Sequence, residues 1–161
     1  MNPQSFPFLV SAAFGLVVWG LVLRRYVWPW AAGRDLKAAS EPFLYLHAFR
    51  FIGLAFIAPG VTGAGLNPAW ASAAAWGDVA SAVLALLALA LRNGALFRPA
   101  LWLFSIVGLF DLLRAAATGP LYDVPPHLSG AFFIPVLGVP LLIWTHLGLL
   151  ALLLRRRSAV A

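Results

Sequence analysis

The chain has 161 residues, 63% of them hydrophobic and 10% charged, with a mean hydropathy of +0.93 and a formal charge of +6. An ordinary soluble domain is roughly 45–50% apolar, and a fold this small has too little interior to hide so many apolar side chains. Disordered chains are poor in apolar residues and are excluded by the same numbers. The composition predicts an all-α integral membrane protein.

The absence of cysteine removes disulfides, thiolate metal sites, iron–sulfur clusters and cysteine nucleophiles. The basic excess is ten arginines and one lysine against five acidic residues. It does not point to nucleic acid, because these residues stand at the ends of apolar runs, where they orient a membrane protein. Arginine far outnumbering lysine, with abundant alanine, fits a high-GC bacterial genome.

Residues Met1 to Pro7 carry no basic side chain, so the first apolar run is expected to remain in the mature protein and not to act as a cleaved signal. Five runs follow, at residues 8–23, 42–58, 69–91, 99–117 and 131–154. Each approaches the roughly 20 residues that cross a bilayer, and together they form one domain. Pro42, Pro68 and Pro99 are expected to precede or open runs, where the missing N–H costs nothing. Segment 26–41 is expected along the inner surface, with Tyr26, Trp28 and Trp30 among the headgroups and Arg34 and Lys37 near anionic lipid. Trp70 and Tyr122 flank the other side.

With an odd number of spans, Arg24, Arg25, Arg34, Lys37, Arg92, Arg98 and Arg155 to Arg157 all fall on one side. The positive-inside rule makes that side the cytoplasm. The sequence thus predicts a five-transmembrane-helix bundle in a bacterial inner membrane, N-terminus out and C-terminus in.

Ionisable residues inside spans are expensive and face the bundle interior or a cavity. Here they are Arg50, Asp78, Asp111 and Arg114, with His47 and His146. At about 1.5 Å per helical residue, the two histidines come out roughly 8–12 Å from the inner ends, and Arg50, Asp78 and Asp111 roughly 12–20 Å in. His47 and Arg50 are three apart and share a face, as do Asp111 and Arg114, with Gly108 one turn earlier. Ala73, Gly77, Ser81 and Ala85 form a small-residue ridge beside Asp78, which predicts close contact and a central third span. The economical arrangement pairs Arg50 with Asp78, Asp111 or both.

Two readings of that cluster stay open. Buried ion pairs can fix helix register with no ligand present, or these groups touch a ligand, a proton or a substrate. Pro135 and Pro140 around Gly138 leave carbonyls without their helical donors, which marks either a binding site or a kink. His47 and His146 at one depth raise a b-type haem, with a nearby arginine for a propionate. His127 reads as an exposed loop residue, with metal binding beside Asp123 as the alternative. No phosphate loop, zinc helix or serine elbow is present.

The pattern Arg50-Phe-Ile-Gly53, then Phe56 and Gly60, then Gly77-Asp78 opening a long apolar run, then Arg92 and Gly94-Ala-Leu, resembles the small DoxX-like bacterial membrane proteins. The resemblance covers residues 47–100, about a third of the chain. The chain departs from that family in carrying Asp78 where Glu is common, and in an added first span beyond the usual four helices. Some relatives are associated with quinone-linked oxidoreductase complexes, so the resemblance implies a redox accessory role.

Three functions follow. In the first, Arg50, Asp78, Asp111, His47 and His146 bind or translocate a small ligand or protons, Arg50 holding an anionic or polar ligand with Asp78 and Asp111 as counter-charges or proton carriers. In the second, an accessory subunit binds quinone or haem near His47 and His146. In the third, an intramembrane enzyme uses Asp78 or Asp111 as acid or base on a lipidic substrate. The expected partners are the bilayer, a small ligand or quinone, and a second copy or a larger membrane complex, with no nucleic acid and no resident metal.

Overall fold

The computed structural model describes residues 5–155. Expectations for Met1 to Gln4 and for Arg156 and Arg157 lie outside the described residues. Helix α1 (Phe6–Ala32) starts with Pro7 in its first turn, passes through a π turn at Leu23–Val27 and ends at Gly33. Segment 26–41 is therefore not a separate surface element. Its first part continues α1, and its last part opens α2 (Leu36–Ala48) after a short turn. Asp35 sets that start: its Oδ1 accepts from the Ala38 N–H at 3.0 Å. The bond favours the charged form and holds the carboxyl below its ordinary 3.8. Pro42 consequently lies inside α2 and opens nothing.

Beyond Ala48 the helix tightens into a 3-10 stretch, Phe49–Phe56, longer than the usual three or four residues. The spacing of its sequence explains this. Leu44, His47, Arg50, Gly53 and Phe56, each three apart, are all buried. With about three residues per turn, a 3-10 helix stacks such positions on one face, whereas an α-helix would spread them.

Helix α3 (Pro68–Ala90) opens with Pro at its first position, and Asn67 Oδ1 accepts from the N–H groups of Ala69 (3.0 Å) and Trp70 (3.1 Å). Such a cap contributes about 1 kcal/mol. Helix α4 (Phe97–Thr118) carries Pro99 in its first turn, where no helical donor is lost. After three 3-10 turns and a π turn at Ile134–Gly138 comes α5 (Val139–Leu154).

Contacts at the two ends show that consecutive segments alternate in direction. At one end Arg92 Nη1 meets Glu41 Oε1 (2.6 Å), Arg98 Nη2 donates to Leu153 O (2.6 Å), and Arg155 Nη1 donates to Ala32 O (3.1 Å). The Arg155 guanidinium also stands over Trp28, 4.9 Å from the ring centre. At the other, loop end, Gly63 N–H donates to His127 O (2.8 Å), Gly130 N–H to Val61 O (3.0 Å), and Trp70 Nε1 to Ala115 O (3.3 Å). His127 is half-buried against Gly65, not a free loop side chain.

Among the described residues, four helices are long and apolar enough to cross a membrane: Phe6–Ala32, Pro68–Ala90, Phe97–Tyr122 and Ser129–Leu154, counting the turns that extend them. Large apolar side chains such as Phe14, Val17, Leu86, Ile106 and Phe110 point outward. The inward face of α3 is Ala71, Ala74, Ala75, Asp78, Ser81, Ala82, Ala85 and Ala88. Of the ridge expected from the sequence, Gly77, Ser81 and Ala85 face neighbouring segments, whereas Ala73 faces out and Ala74 takes its place inside.

Helix α1 lies at the periphery and docks on α5 through two glycines. Gly15 sits against Val136 O, the carbonyl that Pro140 deprives of its usual donor, and Gly20 lies on the Trp144 ring. Trp144 Nε1 donates to Leu16 O at 2.9 Å. One apolar cluster fills the basic end, around Phe43, Leu44, Leu101, Phe104 and Leu149; another fills the loop end, around Phe56, Trp70, Val124 and Leu128. The charged residues lie between them.

Candidate functional site

Arg50 is buried on the 3-10 stretch, and its guanidinium is engaged on all three nitrogens. Nε donates to Asp78 Oδ1 at 2.7 Å, Nη2 to Asp111 Oδ2 at 2.8 Å, and Nη1 to Gly108 O at 3.1 Å. Nη1 also approaches His146 Nε2 at 3.5 Å. Arg114, half-buried one turn beyond Asp111, donates from Nη2 to Asp111 Oδ1 at 3.1 Å. One cation from the second segment thus joins acids from α3 and α4, with a second cation behind Asp111.

Three glycines make the approach of the backbones possible. A Cβ on Gly53 would overlap the Asp78 carboxylate, and one on Gly77 would overlap the Asp111 carboxylate. At Gly108 it would stand 2.6 Å from the His146 ring and 3.0 Å from Arg50 Nη1. Each glycine belongs to a different segment and faces a charge carried by another. The packing of the helices and the pairing of the charges are one arrangement.

The histidines extend the cluster toward the basic end. Thr145 Oγ1 donates back to the carbonyls of Leu141 and Leu142, both at 3.0 Å, so it accepts the 2.9 Å bond from His47 Nε2. The His47 and His146 rings lie 4.1 Å apart, centre to centre, and both pack on Phe104. This does not fit a bis-histidine haem. Axial imidazoles stand on opposite faces of a porphyrin with the iron between them, and two rings in direct contact leave no place for the macrocycle. Among the described residues no group of three or more metal-ligating side chains occurs.

On the loop side of the acids lies a cavity of about 250 Å³. Asp78 and Asp111 line it, and its walls are apolar: Phe8 and Leu16 of α1, Trp70 and Ala74 of α3, Leu112 of α4 and Ile143 of α5. Neither Arg50, His47 nor His146 lines it. Of the five residues singled out as ligand-binding from the sequence, the structure puts all in one connected cluster, but only the two aspartates reach the cavity.

A family model described as a domain of unknown function, DUF8737, matches residues 7–154. The chain belongs to the DUF8737 family. No curated protein and no solved structure matches it significantly. The DUF8737 match spans α1 through α5, so the first helix and the site are parts of one family domain.

Sequence reasoning did not assign Gly53, Gly77, Phe104, Thr145 or the cavity to the site. The three-residue spacing of Leu44, His47, Arg50, Gly53 and Phe56 is the signal that places Gly53 beside Arg50. The cavity had no comparable signal, because its walls are ordinary apolar residues from all five segments and the turns between the last two.

Proposed function

We propose that this chain is a polytopic protein of a bacterial inner membrane that crosses the bilayer five times and binds a small, largely apolar ligand against Asp78 and Asp111. Leu36–Phe56 is the fifth crossing. Its 13 α-helical and eight 3-10 residues rise together about 35 Å, enough for a hydrocarbon core of about 30 Å. The outward apolar side chains support burial in lipid. A helical bundle suits the inner membrane, since outer-membrane spans are closed barrels. Arg24, Arg25, Arg34, Lys37, Arg92, Arg98 and Arg155 at one end support a cytoplasmic C-terminus and an external N-terminus.

The observation that carries ligand binding is the cavity itself: two carboxylates, fixed by Arg50, at the floor of apolar walls. Concave, mostly apolar sites with a few placed polar groups are the usual form of small-molecule sites. At about 250 Å³ this one lies just under the roughly 300–1,000 Å³ of drug-sized sites, so it suits a small molecule. Binding is favoured over translocation because the apolar cluster around Phe43, Leu44, Leu101 and Phe104 closes the bundle on the basic side of the charges.

Native mass spectrometry of the protein released from nanodiscs, beside its Ala74→Trp variant, tests the reading. The expected result is a retained small molecule on the wild type and none on the variant, whose indole fills the cavity. Equal retention by a folded variant would overturn it.

A further inference from the structure

Among the described side chains that line the cavity, one hydrogen-bonding atom is unused, and that atom is an acceptor. Asp111 is used on both oxygens, Oδ2 by Arg50 and Oδ1 by Arg114. Asp78 gives Oδ1 to Arg50, while Oδ2 meets no donor among the described residues. The Asp78 side chain keeps 12% of its surface accessible, against 1% for Arg50. Among the described residues the one indole in the lining, that of Trp70, already donates to Ala115 O. The remaining lining residues are aliphatic, aromatic, proline or glycine.

From this geometry we infer the chemical class of the ligand: an apolar molecule bearing an O–H or N–H donor that meets Asp78 Oδ2. This rests on the ligand-binding reading above and narrows it. An anion is rejected, because it would face two carboxylates while Arg50 stands behind them with its nitrogens committed. A molecule with acceptors alone is rejected too, since it leaves Oδ2 desolvated without a partner. Arg50 is a positioning residue here: it holds Asp78 and Asp111 in place and does not touch the ligand.

The test is the thermal unfolding midpoint of detergent-solubilised protein, titrated with four chains of similar length. Two carry donors, 1-octanol and octylamine; 1-methoxyheptane carries an acceptor alone, and octanoate an anion. Ligands that bind the folded state raise the midpoint, and a tighter ligand does so at a proportionately lower concentration. For wild type, the donor-bearing probes are expected to act at concentrations about tenfold lower or less than the ether and the acid, the ratio set by one unpaired buried polar group. Asp78→Asn is expected to change the order, 1-octanol keeping a bond because its hydroxyl also accepts. Arg50 Nε takes the amide oxygen, so an NH₂ group replaces Oδ2, octylamine loses its advantage and the ether gains.

Equal response to all four probes in wild type would overturn the inference, as would an unchanged order in folded Asp78→Asn. If that variant does not fold, the wild-type order decides alone. Ala74→Trp separates the two levels of the claim. Loss of every shift in this variant shows that the probes occupy the cavity, so that a flat preference then removes only the donor class. Undiminished shifts in it remove the cavity reading and the donor class together.

Discussion

The residue on which the site turns is Arg50. A guanidinium presents five donors in a planar fork, and here the fork reaches two acids on two helices and a carbonyl on one of them. Removing one partner of a buried pair costs about 3–5 kcal/mol, because the other charge is left uncompensated. Arg50→Ala should therefore lower the unfolding midpoint far more than alanine at an exposed position such as Leu121, measured by thermal unfolding in detergent. Arg50→Lys should rescue it only in part, since a single ammonium cannot span both acids in the geometry of the fork. The facing glycines make a sharper prediction. Gly53→Ala and Gly77→Ala push a methyl group into a carboxylate and should each destabilise by about 1–3 kcal/mol. At Gly138 nothing lies within 4 Å of an added Cβ, so Gly138→Ala should be neutral within about 1 kcal/mol. The joining of Arg50 to Asp78 and Asp111 was legible in the sequence, because an unpaired charge in an apolar run has few solutions. The direction of the site was not. The sequence offered Arg50 as the group that meets a ligand, whereas the structure turns its nitrogens onto protein acceptors and leaves the acids facing the cavity.

At the scale of elements, the second segment departs most from a reading by apolar runs. Apolarity alone starts it at Pro42, but Asp35 caps it at Leu36 and its last eight residues are 3-10. A hydropathy scan does not register a cap, and it treats every helix as having the same period. The buried positions at three-residue spacing were visible in the sequence and carried the correct geometry. Three other runs were found nearly at their true bounds, because Pro68, Pro99, Arg92 and Arg155 mark their ends, whereas the first run stops at Leu23 although its helix continues past Arg24 and Arg25 to Ala32. Helix α1 holds to the bundle mainly through α5, at Gly15 and Gly20. Gly20→Leu should separate it from Trp144 without disturbing Arg50. The expected sign is greater cleavage between α1 and α2 in limited proteolysis, with a smaller loss of midpoint than Arg50→Ala produces. Cleavage unchanged from wild type would show that α1 is held by other contacts.

For the whole molecule, the proposed topology has a clean test because the chain has no native cysteine. Single cysteines in place of Leu121 at the loop end and Arg34 at the basic end can be probed with a membrane-impermeant maleimide. In intact cells the cysteine at 121 should react and the cysteine at 34 only after permeabilisation. Reaction of both from the same side would remove either the fifth crossing or the alternation of segments. Stability and binding should also be separable at this scale. Replacing a buried ionic group as a whole by apolar residues of similar volume is often neutral or stabilising. The triple variant Arg50→Met, Asp78→Leu, Asp111→Leu should then remain folded, Arg114 extending its partly exposed side chain toward solvent.

The most direct single measurement is the probe titration repeated on that triple variant beside wild type. If the charges form a ligand site, the variant unfolds near the wild-type midpoint and no longer prefers 1-octanol over 1-methoxyheptane. If it folds as well as wild type and keeps the same preference, the charges serve only to join the helices, and the assignment of a site to Asp78 and Asp111 is wrong.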